Sequence, residues 1–263
     1  GGTSGSSTLN LTDTQLGYIT GASYVFGSST AGAITVQTST DFSNKNVTFL
    51  SGTGLSNGDI TFASAYTSTG TGGLTVSAYR NIVISNAISL GGTATVGGVL
   101  TLRANNATSA AATGTGGGSG SIYVGANIST NGGNITMGGG SGTISAGTGY
   151  AVGNSSSTSV NSITGYGIAV GSGVAVNAGA GNIIMNAFGA GVTGNSNYGV
   201  YIYGGTAAAS GTGAITINGI GGGITNSGSN YGISVDTAGV ISTVNGTLTV
   251  NGTGGGAGTG GNN

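Results

Sequence analysis

The sequence predicts an all-β fold, an elongated parallel β-helix (β-solenoid), and three observations carry that expectation. Gly supplies 61 of the 263 residues, and each one costs a helix about 1 kcal/mol relative to Ala. Short apolar–polar–apolar triplets recur along the whole chain and are too brief to be the strands of an ordinary domain. Towards the C-terminus the same motifs return at a fixed spacing, which is the mark of a repeat architecture.

Taken in order, "TDTQLGYI" (12–19) holds one helical turn and no more. Strands are expected at "AITV" (33–36), "DITF" (59–62), "GLTV" (73–76), "NIVI" (81–84) and "VLTL" (99–102). They continue at "SIYV" (121–124), "NITM" (134–137), "NIIM" (182–185), "AITI" (214–217) and "TLTV" (247–250). In each, two apolar residues flank a central one, usually Thr. Successive side chains of a strand point to opposite faces, so Ile215 and Ile217 are expected inside and Thr216 outside. Gly and Asn at the flanks suit the left-handed corners of a tight coil.

The long period is read from "YGIAV", "YGVYI" and "YGISV", which begin at 166, 198 and 231. "NIIMN", "AITIN" and "TLTVN" begin at 182, 214 and 247, so both series step by 32 and then 33 residues. Three units follow, 166–197, 198–230 and 231–263. They lie in a solenoid stretch 121–263 that continues one at 1–112 across a glycine-rich loop at 113–120. A four-residue strand cannot bury its apolar face alone, but stacked on its equivalent in the next coil it closes a thin core. One three-sided coil of about 20 to 30 residues, or two smaller coils per unit, would satisfy that rule.

The chain has no Pro, as interior strands that must donate on both edges require. Like charges stacked about 4.8 Å apart would repel, whereas amide side chains hydrogen-bond along a stack. Asn186, Asn218 and Asn251 hold matching positions and are the candidates for an amide ladder. Tyr166, Tyr198 and Tyr231 are candidates for an aromatic one.

Net charge is −1, which leaves no basic footprint for nucleic acid and no polybasic membrane patch. No apolar run approaches the roughly 20 residues of a membrane helix, so no membrane insertion of this segment is expected. The ionisable side chains other than tyrosine are Asp13, Asp41, Asp59, Asp236, Lys45, Arg80 and Arg103. Asp41 and Asp59 lie 18 apart, a spacing that would place them one coil apart on one side. The plainer expectation is that Asp41 pairs with Lys45 and Asp59 caps a turn. With no His, Cys or Glu, positioned proton transfer is poorly supplied. No catalytic, metal-binding or cofactor-binding residue is assigned, and no cofactor is expected.

Residues 9–55, with the "LTDTQLGYIT" lead, "YVFGS", "GAITV" and "NVTFLSG" in that order, resemble a recurring block of large bacterial surface proteins of the filamentous-haemagglutinin type. Residues 56–112 continue in the same idiom, and 121–263 share the general style of β-strand-repeat surface proteins. The resemblance implies a right-handed parallel β-helix, export across an outer membrane, a place at the extracellular bacterial cell surface, and work in adhesion or biofilm. The opening "GGTSGSS" reads as a processed or excerpted start. The uncharged end "NGTGGGAGTGGNN" (251–263) offers no cap. Continuation of a longer chain, or head-to-tail docking on a second copy, is the expectation there. "YGVYIYGG" (198–205) is the expected contact surface if one exists, with Tyr198, Tyr201 and Tyr203 meeting surface glycans or a host protein. The alternative is that these tyrosines only cover a strand edge.

Overall fold

The computed structural model describes residues 11–37, 40–52, 58–91, 97–106, 120–154, 165–193, 195–224 and 228–256. Of the glycine-rich stretch 113–120, all but Gly120 lies outside the described residues, as does the end of the third unit from 257 onward.

A single helical turn, α1 (Asp13–Gly17), opens the described chain. Thr12 caps it, with its hydroxyl accepting from the Gln15 N–H while the Gln15 side chain accepts from the Thr12 N–H. That reciprocal pair satisfies two of the helix's orphan donors. Strands then follow coil by coil. β1 (Ser23–Gly27) and β2 (Ile34–Val36) begin the first coil, and β3 (Asn46–Leu50), β4 (Ile60–Phe62) and β5 (Tyr66–Ser68) form the second. β6 (Leu74–Ser77), β7 (Ile82–Ile84) and β8 (Ile88–Leu90) form the third, and β9 (Leu100–Ala104), β10 (Ile122–Val124) and β11 (Ile128–Ser129) the fourth. The fifth holds β12 (Ile135–Gly139), the extra strand β13 (Ala151–Val152), β14 (Ile168–Val170) and β15 (Ala175–Asn177). β16 (Ile183–Phe188), β17 (Val200–Tyr203) and β18 (Thr206–Ala209) make the sixth. β19 (Ile215–Ile220), β20 (Ile233–Asp236) and β21 (Val240–Thr243) make the seventh, and β22 (Leu248–Thr253) starts an eighth.

Equivalent strands of successive coils pair in parallel and build three sheets. The first runs β1-β3-β6-β9-β12-β16-β19-β22, the second β2-β4-β7-β10-β14-β17-β20, and the third β5-β8-β11-β15-β18-β21. The chain is therefore a parallel β-solenoid with three sides. Each C-terminal unit is one three-sided coil, because Ile183 pairs with Ile215 and Ile215 with Leu248, steps of 32 and 33 residues. Earlier coils differ in length: Leu74 to Leu100 spans 26 residues and Ile135 to Ile183 spans 48.

Side-chain alternation sets the core. Ile215 and Ile217 are fully buried and Thr216 faces out. The same pattern places Leu100 with Leu102, Ile135 with Met137, and Ile122 with Val124 inside. Phe42, Phe49, Phe62 and Tyr66 pack ring against ring in the first coils, with centroids 5.4 Å apart for Phe42–Tyr66 and 5.8 Å for Phe49–Phe62. Leu16 of α1 packs onto this end of the core. At the other end the inward-facing Leu248 and Val250 of β22 are 44% and 46% exposed.

The corners differ in kind. Between second and third sheets the turn is short: Gly204 and Gly205 alone join β17 to β18, with Gly204 at φ +61°. Between third and first sheets runs a column of glycines, Gly72, Gly98, Gly133, Gly181, Gly213 and Gly246, each two residues before the first inward side chain of its strand. A Cβ on Gly98 would lie 1.8 Å from the Gly72 carbonyl oxygen, and one on Gly246 would lie 1.9 Å from that of Gly213. None of the six has a positive φ. These glycines are required by the close approach of consecutive backbones, not by left-handed geometry. The first-to-second-sheet connection absorbs most of the variation in coil length, from Ser77 to Ile82 in one coil and from Gly139 to Ile168 in another. Connections of variable length are where binding groups concentrate.

Candidate functional surface

Asn186, Asn218 and Asn251 stand in register on the first sheet. Asn218 Nδ2 donates to Asn186 Oδ1 at 2.8 Å, and Asn251 Nδ2 donates to Asn218 Oδ1 at 2.8 Å. Asn186 ends the run by donating to the carbonyls of Ser145 and Thr148 at 2.5 and 2.6 Å. Asn186 and Asn218 are buried, so a missing partner cannot be replaced by water without rearrangement. Substituting Asn218 with Ala is expected to cost about 1–3 kcal/mol, because Asn186 Oδ1 is left without its donor. Asn251→Ala, at the exposed rung, is expected to cost less. Urea midpoints of the two variants measure the difference.

Further Asn side chains at the corners, which the sequence reading did not single out, bridge coil to coil. Asn134 Oδ1 accepts from the Asn182 N–H at 2.9 Å, and Asn182 Oδ1 from the Ala214 N–H at 2.8 Å. Asn46 does the same for Gly73 and Asn127 for Ala175, both at 2.9 Å. For Asn46, Asn134 and Asn182, an Asn directly before an apolar triplet was the available signal.

Tyr166, Tyr198 and Tyr231 stack along the axis with centroids 5.4 and 5.5 Å apart and interplanar angles of 18° and 21°. Tyr201, outward on β17, tilts against Tyr166 at 4.8 Å and Tyr198 at 5.2 Å, and Tyr203 follows at 5.8 Å from Tyr201. The five rings form one patch at the second sheet. Tyr203 is 43% exposed, while Tyr198 and Tyr201 are half-buried among their neighbours. Burial, with the neighbouring phenol Tyr198 adding to it, raises the pKa of Tyr166, and burial does the same for Tyr201. Because the ladder rings cover one another's faces, a ligand would meet mostly edges and hydroxyls, with Tyr203 and the last ring, Tyr231, the most exposed.

The charged groups are distributed differently from the expectation. Asp59, just before β4, does not simply cap a turn. It forms a two-pronged ion pair with Arg80 of the next coil, Nε to Oδ1 at 2.8 Å and Nη2 to Oδ2 at 2.5 Å, and accepts from the Asn81 N–H at 3.0 Å. Asp41 does not pair with Lys45. It lies across a bridge from Thr67, at the third sheet, and accepts from Ser43 N and Oγ at 2.8 and 3.2 Å and from Thr69 N and Oγ1 at 2.9 and 2.5 Å. Asp41 and Asp59 therefore sit on different sides of the solenoid and share no groove, because the coil here is longer than 18 residues: Ile34 to Ile60 is 26. Among the described residues no three His, Cys, Asp or Glu side chains come together, and no helix is long and apolar enough to cross a membrane.

Partial burial raises the Asp41 carboxyl, but the hydrogen bonds from Thr69 and Ser43 outweigh it and hold the pKa below its ordinary value. A depressed folded value means that this clamp stabilises above the unfolded carboxylate range, near pH 3.9, and is lost as pH falls through the folded value. The protection of the Thr69 amide, relative to its intrinsic exchange rate at each pH, is expected to fall as the pH drops from about 3.9 through the lower folded value, and Asp41→Asn is expected to remove that pH dependence.

An open groove of about 670 Å³ lies at the first-to-second-sheet corner and is lined by Arg103, Tyr79, Asn106 and several serines. Arg103 Nη1 donates to the carbonyls of Gly140 and Gly142, both at 2.5 Å. Burial lowers the guanidinium pKa.

Compared with protein families, curated proteins and solved structures, the chain finds no match in any of the three.

Proposed function

We propose that the chain is a structural segment of an extracellular bacterial surface fibre or adhesin, working in cell attachment or in a biofilm matrix. The observation that carries this reading is the continuous stack of parallel coils, in which β20, β21 and β22 are the last strands of the three sheets among the described residues. The inward side chains Leu248 and Val250 are left half in solvent there. An apolar strand face left half in solvent favours addition of another coil. A second copy stacked head to tail would supply such a coil. The resemblance of residues 9–55 to filamentous-haemagglutinin-type blocks agrees with a place at the cell surface. The mechanism is mechanical: ladder hydrogen bonds and a dry Ile/Val core make a stiff rod.

Imaging the chain across a range of concentrations by electron microscopy tests the self-stacking form. Rods that lengthen with concentration, and stop lengthening in Leu248→Asp, support it. Rods of one fixed length at every concentration reject it. A second reading, a module that binds carbohydrate or a host protein, is favoured by the exposed ring of Tyr203 beside Tyr198 and Tyr201. A glycan array on which the chain binds nothing would leave only the rod.

A further inference from the structure

Arg103 is the fourth residue in a column of outward positions on the first sheet, after Gly27 of β1, Leu50 of β3 and Ser77 of β6. Its register partner in β12 is Gly138, which has no side chain to cover it. The chain's carboxylate side chains are four Asp and no Glu, and none of them meets it. Asp59 is taken by Arg80, Asp41 by Ser43 and Thr69, Asp13 by Thr40 and Asp236 by Thr237. A half-buried guanidinium without a counter-charge is uncommon, since buried charge is normally paired or bound to a ligand. Among the described residues only its Nη1 is engaged, by the two glycine carbonyls. The Nε and Nη2 edge is left, and its parallel N–H groups match the two oxygens of a planar carboxylate.

The groove that Arg103 lines holds no other charged residue among the described ones and carries several hydroxyls. Ser29, Ser77 and Ser141 line it with Asn106, and Tyr79 supplies a ring. Asn106 Nδ2 is held by the carbonyls of Ser51 and Ser77, each at 3.0 Å, so this wall is fixed. Hydroxyl and amide groups beside one aromatic ring suit a pyranose, and the fork suits an acid on it.

We propose that this groove binds a uronic-acid residue of an acidic polysaccharide, with its carboxylate held by the Nε and Nη2 edge of Arg103, its ring against Tyr79, and its hydroxyls on the groove serines. The site stands independently of the rod reading, since a rod with or without it would stack alike.

The test is calorimetric titration of the full chain with trigalacturonate, with maltotriose as the neutral control. Trigalacturonate is expected to bind saturably and maltotriose not to bind. Arg103→Gln is expected to weaken trigalacturonate by about tenfold or more, the loss of a charge-assisted pair. Because Arg103 also holds the Gly140 and Gly142 carbonyls, a second variant leaves it in place. Ser141→Asp, at an exposed position of the rim, puts a carboxylate at the mouth and is expected to weaken binding by a similar factor. Absence of trigalacturonate binding to the unaltered chain, equal binding of the two sugars, or an unchanged affinity in Ser141→Asp would each overturn the proposal.

Discussion

Ile135→Asp is expected to abolish the fold of the central coils. Ile135 is fully buried and lies between Leu100 of the preceding coil and Ile183 of the next, both fully buried as well. An aspartate there loses the transfer energy of the isoleucine, about 1.5–3 kcal/mol, and places an unpaired carboxylate in a dry column, which costs several kcal/mol more. Even if the group stays protonated it has no partner, because every neighbour in the column is a hydrocarbon. The total exceeds about 4–5 kcal/mol, a large share of the 5–15 kcal/mol available to a folded domain. Solenoid stability is a sum of nearest-neighbour terms, so the loss should be felt on both sides of the substituted coil. Far-UV circular dichroism and limited proteolysis at neutral pH would register it. Ile135→Val, which removes one methyl, is the matched control and is expected to cost about 0.5–1.5 kcal/mol with the spectrum unchanged.

Gly98→Ala is expected to be nearly as damaging although it adds a single methyl. That methyl would lie 1.8 Å from the Gly72 carbonyl oxygen, 2.4 Å from the Gly72 carbonyl carbon and 2.9 Å from the Gly73 nitrogen. All three atoms are backbone, so no side chain can swing aside. Relief requires the coils to separate, and the ladder bond from the Leu74 N–H to the Val99 carbonyl, 2.9 Å, spans that same corner. A cost of about 3 kcal/mol or more is expected, at the overpacked end of the usual range. Gly191→Ala meets nothing within 4 Å and is expected to change stability by less than about 0.5 kcal/mol. Thermal melts of the pair separate close approach from helix or strand propensity, since both variants gain the same alanine.

The comparison of Gly98 with Gly204 shows what could be read from the residues alone. A glycine count signals corners, but it does not separate a glycine needed for φ, such as Gly204, from one needed for contact, such as Gly98. Contact with the previous coil is a tertiary fact with no local signature. Strands of the first and second sheets were legible because their inward residues are large and aliphatic, as in Leu100–Leu102 and Ile122–Val124. Those of the third sheet were less so, β8 with its buried Ile88 and Leu90 excepted. β18 reads Thr-Ala-Ala-Ala, β11 has two residues, and neither shows an apolar triplet.

The same contrast holds at the functional surface. Asn186, Asn218 and Asn251, and Tyr166, Tyr198 and Tyr231, recur at a constant interval, so their alignment followed from the period. The partners of Asp41 and Asp59 did not follow, because coils of unequal length carry them. Asp59 meets Arg80 across 21 residues and Asp41 meets Thr69 across 28. Arg103 was visible as a rare charge. That it lacks a carboxylate emerges only once every Asp has been placed.

The central claim, that coils stack in parallel and in register, is tested most directly by spin-label distances along one column. The chain has no native Cys, so paired cysteines can be introduced at will. Thr75, Thr101, Thr136, Ile184, Thr216 and Thr249 occupy one outward column of the first sheet. With one label at 249 and the second moved from 216 to 184, 136, 101 and 75, the separation is predicted to climb by about 4.8 Å per step, to about 24 Å at 75. A separation that fails to rise at each step, or that returns to a short value at 101 or 75, would contradict the stack.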